Sequence, residues 1–145
     1  MKGWIPLWVL VLACLAGPLL AQQPSPVQVV DLIIRNDALV YRPNDEYSPV
    51  QRPDVYVSSN LKNTGGSTVN VDVQVTVSDL SGTVLRTTTE KVKVPPGKPT
   101  LYWAPPFYNP GRLLVQVDLV VKQGDTVLSG LHKSESGEAR PIPGY

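Results

Sequence analysis

The sequence predicts an all-β fold, an immunoglobulin-like antiparallel β-sandwich of seven to eight strands. Valine recurs at every second position from Val69 to Val77, and the four residues between these valines are polar. Successive side chains of a strand point to opposite faces, so this segment has the pattern of a strand that is buried on one face only. Residues 111–122 repeat the alternation. Turn residues interrupt the apolar segments about every ten residues, as in immunoglobulin-like sandwiches.

Residues 1–21 predict a signal peptide. Lys2 supplies a positive start, and the almost wholly apolar run 4–15 has the length of a signal-peptide core but is too short for a comfortable membrane span. Cleavage is expected after Ala21, with Ala16 as an alternative, and Cys14 leaves open a lipoprotein signal. The protein is therefore expected to be exported to the periplasm, the cell surface or the extracellular space, with no membrane span after signal removal.

Composition excludes several classes of partner. Lys2 is one of 13 basic residues, so its removal leaves 12 basic against 12 acidic residues. Such a balanced chain lacks the basic stripe of a nucleic-acid groove and the positive charge that binds anionic membranes. The only cysteine lies in the signal segment, so no disulfide is expected in the mature fold. No cofactor is predicted.

The sandwich domain is predicted over 22–131. Its expected strands are 27–34, 38–41, 54–62, 69–78, 83–94, 100–104, 111–122 and 126–131. Three prolines mark 42–53 as a long surface loop, and Gly82 is expected to adopt a positive φ in a hairpin turn. Lys91 and Lys93 indicate an edge strand, because lysines discourage pairing with other chains. The polar segment 132–145 is predicted to be a flexible tail.

Several short motifs resemble one family of bacterial modules. These are Asn63-Thr64-Gly65 before the valine strand, Gly82 in the hairpin, Pro96-Gly97, Trp103, and the strand from Gly111 to Asp118. Together they are similar to CARDB domains, the immunoglobulin-like "cell adhesion related" modules of bacteria, over roughly residues 54–122. The resemblance implies an extracytoplasmic interaction or spacer module, and it brings no catalytic residues.

The titratable residues predict neither catalysis nor a metal site. His132 is the only histidine, and it lies in the polar tail without the rigid partners of a catalytic base. A zinc site lacks ligands. Oxygen ligands for calcium occur in or beside the long loop, at Asp37, Asn44, Asp45, Glu46 and Asp54. Their spacing matches no EF-hand, and solvated carboxylates are the expected state.

Four aromatic residues, Tyr102, Trp103, Phe107 and Tyr108, lie within seven positions. Trp103 is predicted to fill the core, as sandwiches commonly bury one tryptophan, and Tyr102 then points outward. Prolines flank Phe107 and Tyr108, so this loop either covers the open end of the sandwich or presents rigid aromatic rings to a ligand.

A second candidate surface lies on the strand 111–122. Leu114 and Val120 point away from the predicted core there. Scattered apolar residues are normal on protein surfaces. With Tyr56 on a strand expected to be adjacent, the two could instead form a patch for another domain or subunit.

These observations predict a non-enzymatic, exported module that mediates protein–protein interaction, adhesion or structural spacing at the cell envelope or surface. Its expected partner is another envelope or surface protein. One alternative is a carbohydrate-binding module that uses Tyr102, Phe107 and Tyr108 on a polysaccharide. Another is a subunit of a surface filament or envelope assembly that self-associates through strand edges.

Overall fold

Over the residues that the structure describes, the protein folds into two antiparallel β-sheets of five strands each, which confirms the predicted sandwich. The structure, a computed structural model, describes residues 25–36, 54–109, 114–135, 137 and 140–142. The strands within these ranges are β1 (Val27–Val29), β2 (Ile33–Asn36), β3 (Asp54–Asn63), β4 (Val69–Asp79), β5 (Val84–Val94), β6 (Thr100–Trp103), β7 (Phe107–Tyr108), β8 (Val115–Gln123), β9 (Thr126–Ser134) and β10 (Arg140–Pro141). The predicted signal peptide, the strand 38–41 and the loop 42–53 lie outside the described residues.

The first sheet, sheet A, is organised around β3. Strands β1 and β2 pair with one edge of β3, and β6 and β7 pair with its other edge. Sheet B has the order β10-β9-β8-β4-β5. The valine strand β4 therefore lies inside sheet B, between β8 and β5, and β5 is at the edge of the described sheet, as its lysines predicted.

The core lies between the two sheets. The five valines of β4 face it, although Val69, at the start of the strand, is only partly buried. Across the β4–β8 pair Val75 lies opposite Leu119, and both are almost inaccessible to solvent. Sheet A contributes Val55, Val57 and Leu61 from β3. The alternation in the sequence thus placed the correct faces of β3, β4 and β8 inward.

The predicted first strand, 27–34, is divided in two. Val29 pairs with Leu61 and Ile33 pairs with Ser58, so three residues, 30–32, face only two residues of β3. This extra residue is accommodated as in a β-bulge. The Asp31 carboxylate holds the irregular segment by accepting hydrogen bonds from the Asn60 backbone N–H and Nδ2, both at 2.7 Å.

Asn63 joins the end of β3 to sheet B. Its buried side chain donates from Nδ2 to the carbonyls of Ser67 (2.8 Å) and Val94 (2.9 Å). Its Oδ1 accepts the N–H of Gly65 at 2.9 Å, which folds the chain into an Asx turn. The Asn63-Thr64-Gly65 motif therefore has a structural role, since one amide satisfies three polar groups.

The β4–β5 hairpin turns as the sequence predicted. Gly82 has a φ of 89°, a conformation that L side chains rarely adopt. The Asp79 carboxylate accepts the backbone N–H groups of Ser81 and Thr83, both at 2.9 Å. The Ser81 hydroxyl also donates to it, and these hydrogen bonds hold the pKa of Asp79 below its usual value.

Part of the predicted tail forms strands. Strand β9 continues to Ser134, so it extends beyond the predicted boundary at Leu131, and Arg140–Pro141 returns to pair with it. Within β9, His132 Nδ1 lies 2.6 Å from Asp118 Oδ1 on β8. The prediction of a flexible tail from His132 onward is therefore wrong for these described residues, because backbone pairing holds them.

Candidate binding surface

Tyr102 is a core residue, which corrects its prediction as an outward-facing binding residue. It is 5 % exposed, and its hydroxyl donates to Glu90 Oε2 of β5 at 2.9 Å. Burial, together with the hydrogen bond and the negative charge of Glu90, raises the pKa of the Tyr102 phenol. The interaction joins the two sheets at the side where β6 approaches β5.

Trp103 lies on the surface, so its prediction as the buried tryptophan is wrong. Its side chain is 59 % exposed. Alternation along β6 was correct, but the opposite face points inward, because Tyr102 pairs with fully buried Ser59 whereas Trp103 pairs with outward-facing Ser58. The inward position of Tyr102 is stabilised by sheet B, because its buried hydroxyl finds an acceptor in Glu90 of the edge strand β5.

Phe107 and Tyr108 belong to a short strand rather than a free loop. Strand β7 pairs Phe107 with Val55 and Tyr108 with Asp54. Phe107 shares the inward face of Val55 and packs against the core, whereas Tyr108 is 50 % exposed. Of these two rings, Phe107 is therefore held against the core, and that of Tyr108 is open to solvent.

The outer face of sheet A carries a contiguous apolar surface. Cross-strand pairing places Ile33 and Trp103 on either side of Ser58, and both are more than half exposed. Ser58 itself is only 3 % exposed, since its larger neighbours cover it. Leu101 extends the surface along β6 beside Asn60, with 54 % of its area exposed.

Tyr56 and Arg35 complete this surface. They face each other across β2 and β3, and the guanidinium carbon of Arg35 lies 4.5 Å above the centre of the Tyr56 ring, a cation–π contact. An open groove of about 240 Å³ runs between Ile33, Arg35, Tyr56, Ser58 and Trp103. We refer to the set Ile33, Arg35, Tyr56, Leu101 and Trp103 as the aromatic face.

The second predicted patch does not form. Tyr56 lies on sheet A, whereas Leu114 precedes β8 and Val120 lies within β8, both on sheet B. Leu114 is 42 % exposed and Val120 is partly buried opposite Gly130. The three residues were grouped because β3 was expected beside the strand 111–122, but β4 and β9 are the neighbours of β8.

Sequence reasoning missed Ile33 and Leu101 as surface residues. Two signals were present. Ile33 is followed by Ile34, and adjacent residues of a strand cannot share a face, so one of the two had to point outward. Leu101 lies on the same face of β6 as Trp103, so the prediction that Trp103 is buried also placed Leu101 in the core.

The described residues show neither a metal site nor a membrane-spanning helix. The part of the chain that the structure describes contains no group of three His, Cys, Asp or Glu side chains placed to hold a metal ion. Of the calcium candidates, Asp54 begins β3, and Asp37, Asn44, Asp45 and Glu46 lie outside the described residues. Over the same described ranges, no helix has the length and apolar character needed to cross a membrane.

Comparisons with known proteins support the fold alone. No family model and no curated protein matches the chain. Solved structures that match include a β-glucuronidase of glycoside hydrolase family 2 (TM-score 0.57, 14 % identity), a putative β-galactosidase from Bacteroides fragilis (0.58, 14 %) and a family 2 glycosyl hydrolase from Bacteroides cellulosilyticus (0.59, 16 %).

Each of these three matches covers 75 % of this chain but only 12 %, 17 % and 15 % of the respective hydrolase chains. The protein is thus similar to a small β-sandwich within each much longer chain. At such low identity the likeness defines the class, a β-sandwich domain. It assigns no activity to the chain.

Proposed function

We propose that this protein is a non-catalytic, exported β-sandwich module that binds another envelope or surface protein through the aromatic face. The predicted signal peptide 1–21 and the CARDB-like motifs support an extracytoplasmic role. The observation that carries the proposal is the exposure of Ile33, Leu101 and Trp103 side by side on one sheet.

The composition of the aromatic face favours a protein partner. Tryptophan, tyrosine and arginine are the residues that most often dominate binding energy at protein interfaces, and Trp103, Tyr56 and Arg35 supply one of each. Strand pairing on both sides of β3 fixes their backbones. A surface fixed in advance loses little conformational entropy when it binds.

Site-specific photo-crosslinking in the native envelope tests this proposal. A photoreactive phenylalanine analogue at position 103 should form discrete adducts with a partner protein, whereas the same group at Leu80 should not. Leu80 is a matched control, because it is 56 % exposed but lies in the β4–β5 turn on the other sheet. Indistinguishable adducts at 103 and 80, or their absence at 103, would contradict the proposal.

The strength of the interaction provides a second readout. Once the adduct partner is isolated, Trp103→Ser should weaken binding by at least about 2 kcal/mol, roughly 30-fold, as expected for a central aromatic residue. Leu80→Ser should leave the affinity unchanged. Equal effects of the two substitutions would show that the aromatic face is not the contact surface.

Carbohydrate binding is the second candidate function, favoured by the exposed Trp103 ring beside an open groove. The structural neighbours are named as glycoside hydrolases, which makes polysaccharides reasonable probes. Pelleting with insoluble polysaccharides should then depend on Trp103 and not on buried Tyr102. Retention that survives Trp103→Ser excludes this surface. A concentration-dependent increase in native size, lost in the same variant, would instead indicate self-assembly.

A further inference from the structure

The edge of β9 is covered by a short strand of the same chain. Arg140 pairs with His132 and Pro141 pairs with Leu131. The backbone N–H of Ile142 donates to the Gly130 carbonyl at 3.3 Å and continues this ladder by one residue. Residues 140–142 thus occupy a sheet edge that would otherwise present unpaired backbone groups, the usual template for strand addition.

Gly130 provides the space in which the Ile142 side chain lies. A Cβ atom added at Gly130 would lie 2.9 Å from Ile142 Cδ1 and 3.2 Å from the Leu119 carbonyl oxygen. Gly130 lies opposite Val120, an outward position of β8, so this space is on the outer face of sheet B. A strand that pairs here therefore gains a specific position for one aliphatic side chain, in addition to its backbone hydrogen bonds.

Pro141 hinders the pairing of a further strand with the outer edge of β10. Directly opposed residues of an antiparallel pair alternate between hydrogen-bonded and non-hydrogen-bonded pairs. The Ile142 N–H to Gly130 bond identifies 142 and 130 as a hydrogen-bonded pair, so Pro141 and Leu131 form a non-hydrogen-bonded pair. The nitrogen of Pro141 then faces away from β9, where the absence of an N–H hinders a further strand from pairing.

The same segment is weakly attached. Strand β10 has two residues, and both are exposed. A cross-strand pair contributes only about 0.2–1 kcal/mol. A longer extended segment could also pair with Lys133 and Ser134 of β9 and displace the short one. In the other direction the Ser129 hydroxyl already accepts the Val29 N–H of β1 at 3.1 Å.

We propose that the β9 edge is a docking site for an extended segment of a partner protein that places a branched aliphatic side chain over Gly130, and that residues 140–142 close this site in the free protein. The occupant is inferred from the residue that fills the position now, Ile142. The site lies on the opposite sheet from the aromatic face and does not depend on the function proposed for it.

A labelled peptide of residues 137–145 is the probe, and the full chain is the receptor. The Ile142→Asp chain should bind the peptide at least about tenfold more tightly than wild type, because its own segment no longer competes at a high effective concentration. Adding Gly130→Val to that chain should abolish binding, and an Ile142→Asp peptide should bind neither chain. Leu80→Asp is the control for added charge.

Amide hydrogen exchange keeps the test independent of peptide affinity. In the Ile142→Asp chain the amides of Gly130 and His132, which face residues 140–142, should exchange faster, while those of the interior strand β4 stay protected. Unchanged exchange at Gly130 and His132, or equal peptide binding by wild type and Ile142→Asp, overturns the proposal. The proposal would also be overturned if the wild type formed a dimer in which residues 140–142 pair with β9 of the other copy. Native size measurement detects such a dimer.

Discussion

The two sheets bury similar side chains but differ on their outer faces. The outward residues of β4 in sheet B are polar: Asn70, Asp72, Gln74 and Thr76. Those of sheet A include Ile33, Leu101 and Trp103, each more than half exposed. A sandwich needs one apolar face per sheet, and both sheets have it. The apolar outer face of sheet A is additional to this requirement, and the proposed binding surface lies there.

The sheets also differ in the length of their strands. Apart from the two-residue β10, the strands of sheet B have 11, 11, 9 and 9 residues, whereas the flanking strands of sheet A have only two to four residues around the ten-residue β3. Short flanking strands have few backbone hydrogen bonds of their own, so their positions depend on side-chain interactions such as Asp31 with Asn60 and Tyr102 with Glu90.

The largest expected effect comes from a matched pair of core substitutions that tests whether the two sheets share one core. Leu61 of sheet A and Leu119 of sheet B are both fully buried. Leu61→Ala and Leu119→Ala should each lower the free energy of unfolding by about 2–5 kcal/mol, since both remove buried area and leave a cavity. Urea unfolding measures the loss.

Leu101→Ala is the control for that pair, because Leu101 is 54 % exposed. It should change the free energy of unfolding by no more than about 0.5 kcal/mol. If Leu119→Ala destabilises the protein and Leu61→Ala does not, the sheets do not unfold as one cooperative unit, and the shared core is disproved.

Sheet B was predictable from the sequence because its alternation is long and its two faces differ in polarity. Five valines and four polar residues leave no doubt about which face of β4 is buried. In sheet A the strand β6 has four residues, and Leu101, Tyr102 and Trp103 are all large. Alternation then separates the faces without indicating which is inward, and the acceptor that stabilises Tyr102 on the inward face, Glu90, belongs to the other sheet.

The candidate surface was less predictable for the same reason. It is built from β2, β3 and β6, whose neighbours are set by long-range pairing. No local sequence pattern predicts that Ile33 and Trp103 lie on either side of Ser58. The role of Gly130 was not predictable for a similar reason. It leaves space for Ile142, and Ile142 follows a short strand in a segment that was predicted to be a flexible tail.

Asn63 offers a sharper test of how the two sheets are joined. Asn63→Ala removes its hydrogen bonds to Ser67, Val94 and Gly65 and leaves a buried Val94 carbonyl without that donor. We expect a loss of about 2–3 kcal/mol in the free energy of unfolding, because an unsatisfied buried group retains its full desolvation cost. Exposed Asn70 on β4 provides the control, and Asn70→Ala should be nearly neutral. Equal stability of the two variants would show that Asn63 does not join the sheets.

The smallest expected effect concerns the second junction, Tyr102 with Glu90. Tyr102→Phe removes one hydrogen bond and should cost about 1 kcal/mol at neutral pH. The raised pKa of Tyr102 adds a pH dependence. Above about pH 10 the unfolded chain loses the phenol proton while the folded chain keeps it, so the unfolded state binds fewer protons and the free energy of unfolding falls as pH rises. Below about pH 10 the phenol keeps its proton in both states, so its contribution to the free energy of unfolding is fully present.

Urea unfolding of wild type and Tyr102→Phe at pH 8 and pH 11 checks both statements. The wild type should lose more stability than the variant between the two pH values, because the phenylalanine ring of the variant has no proton to release. Parallel losses would mean that the phenol ionises equally in the folded and unfolded chains, and the hydrogen bond to Glu90 would then not hold β6 against β5. That result would leave the inward position of Tyr102, and with it the outward position of Trp103, to be explained by side-chain packing alone.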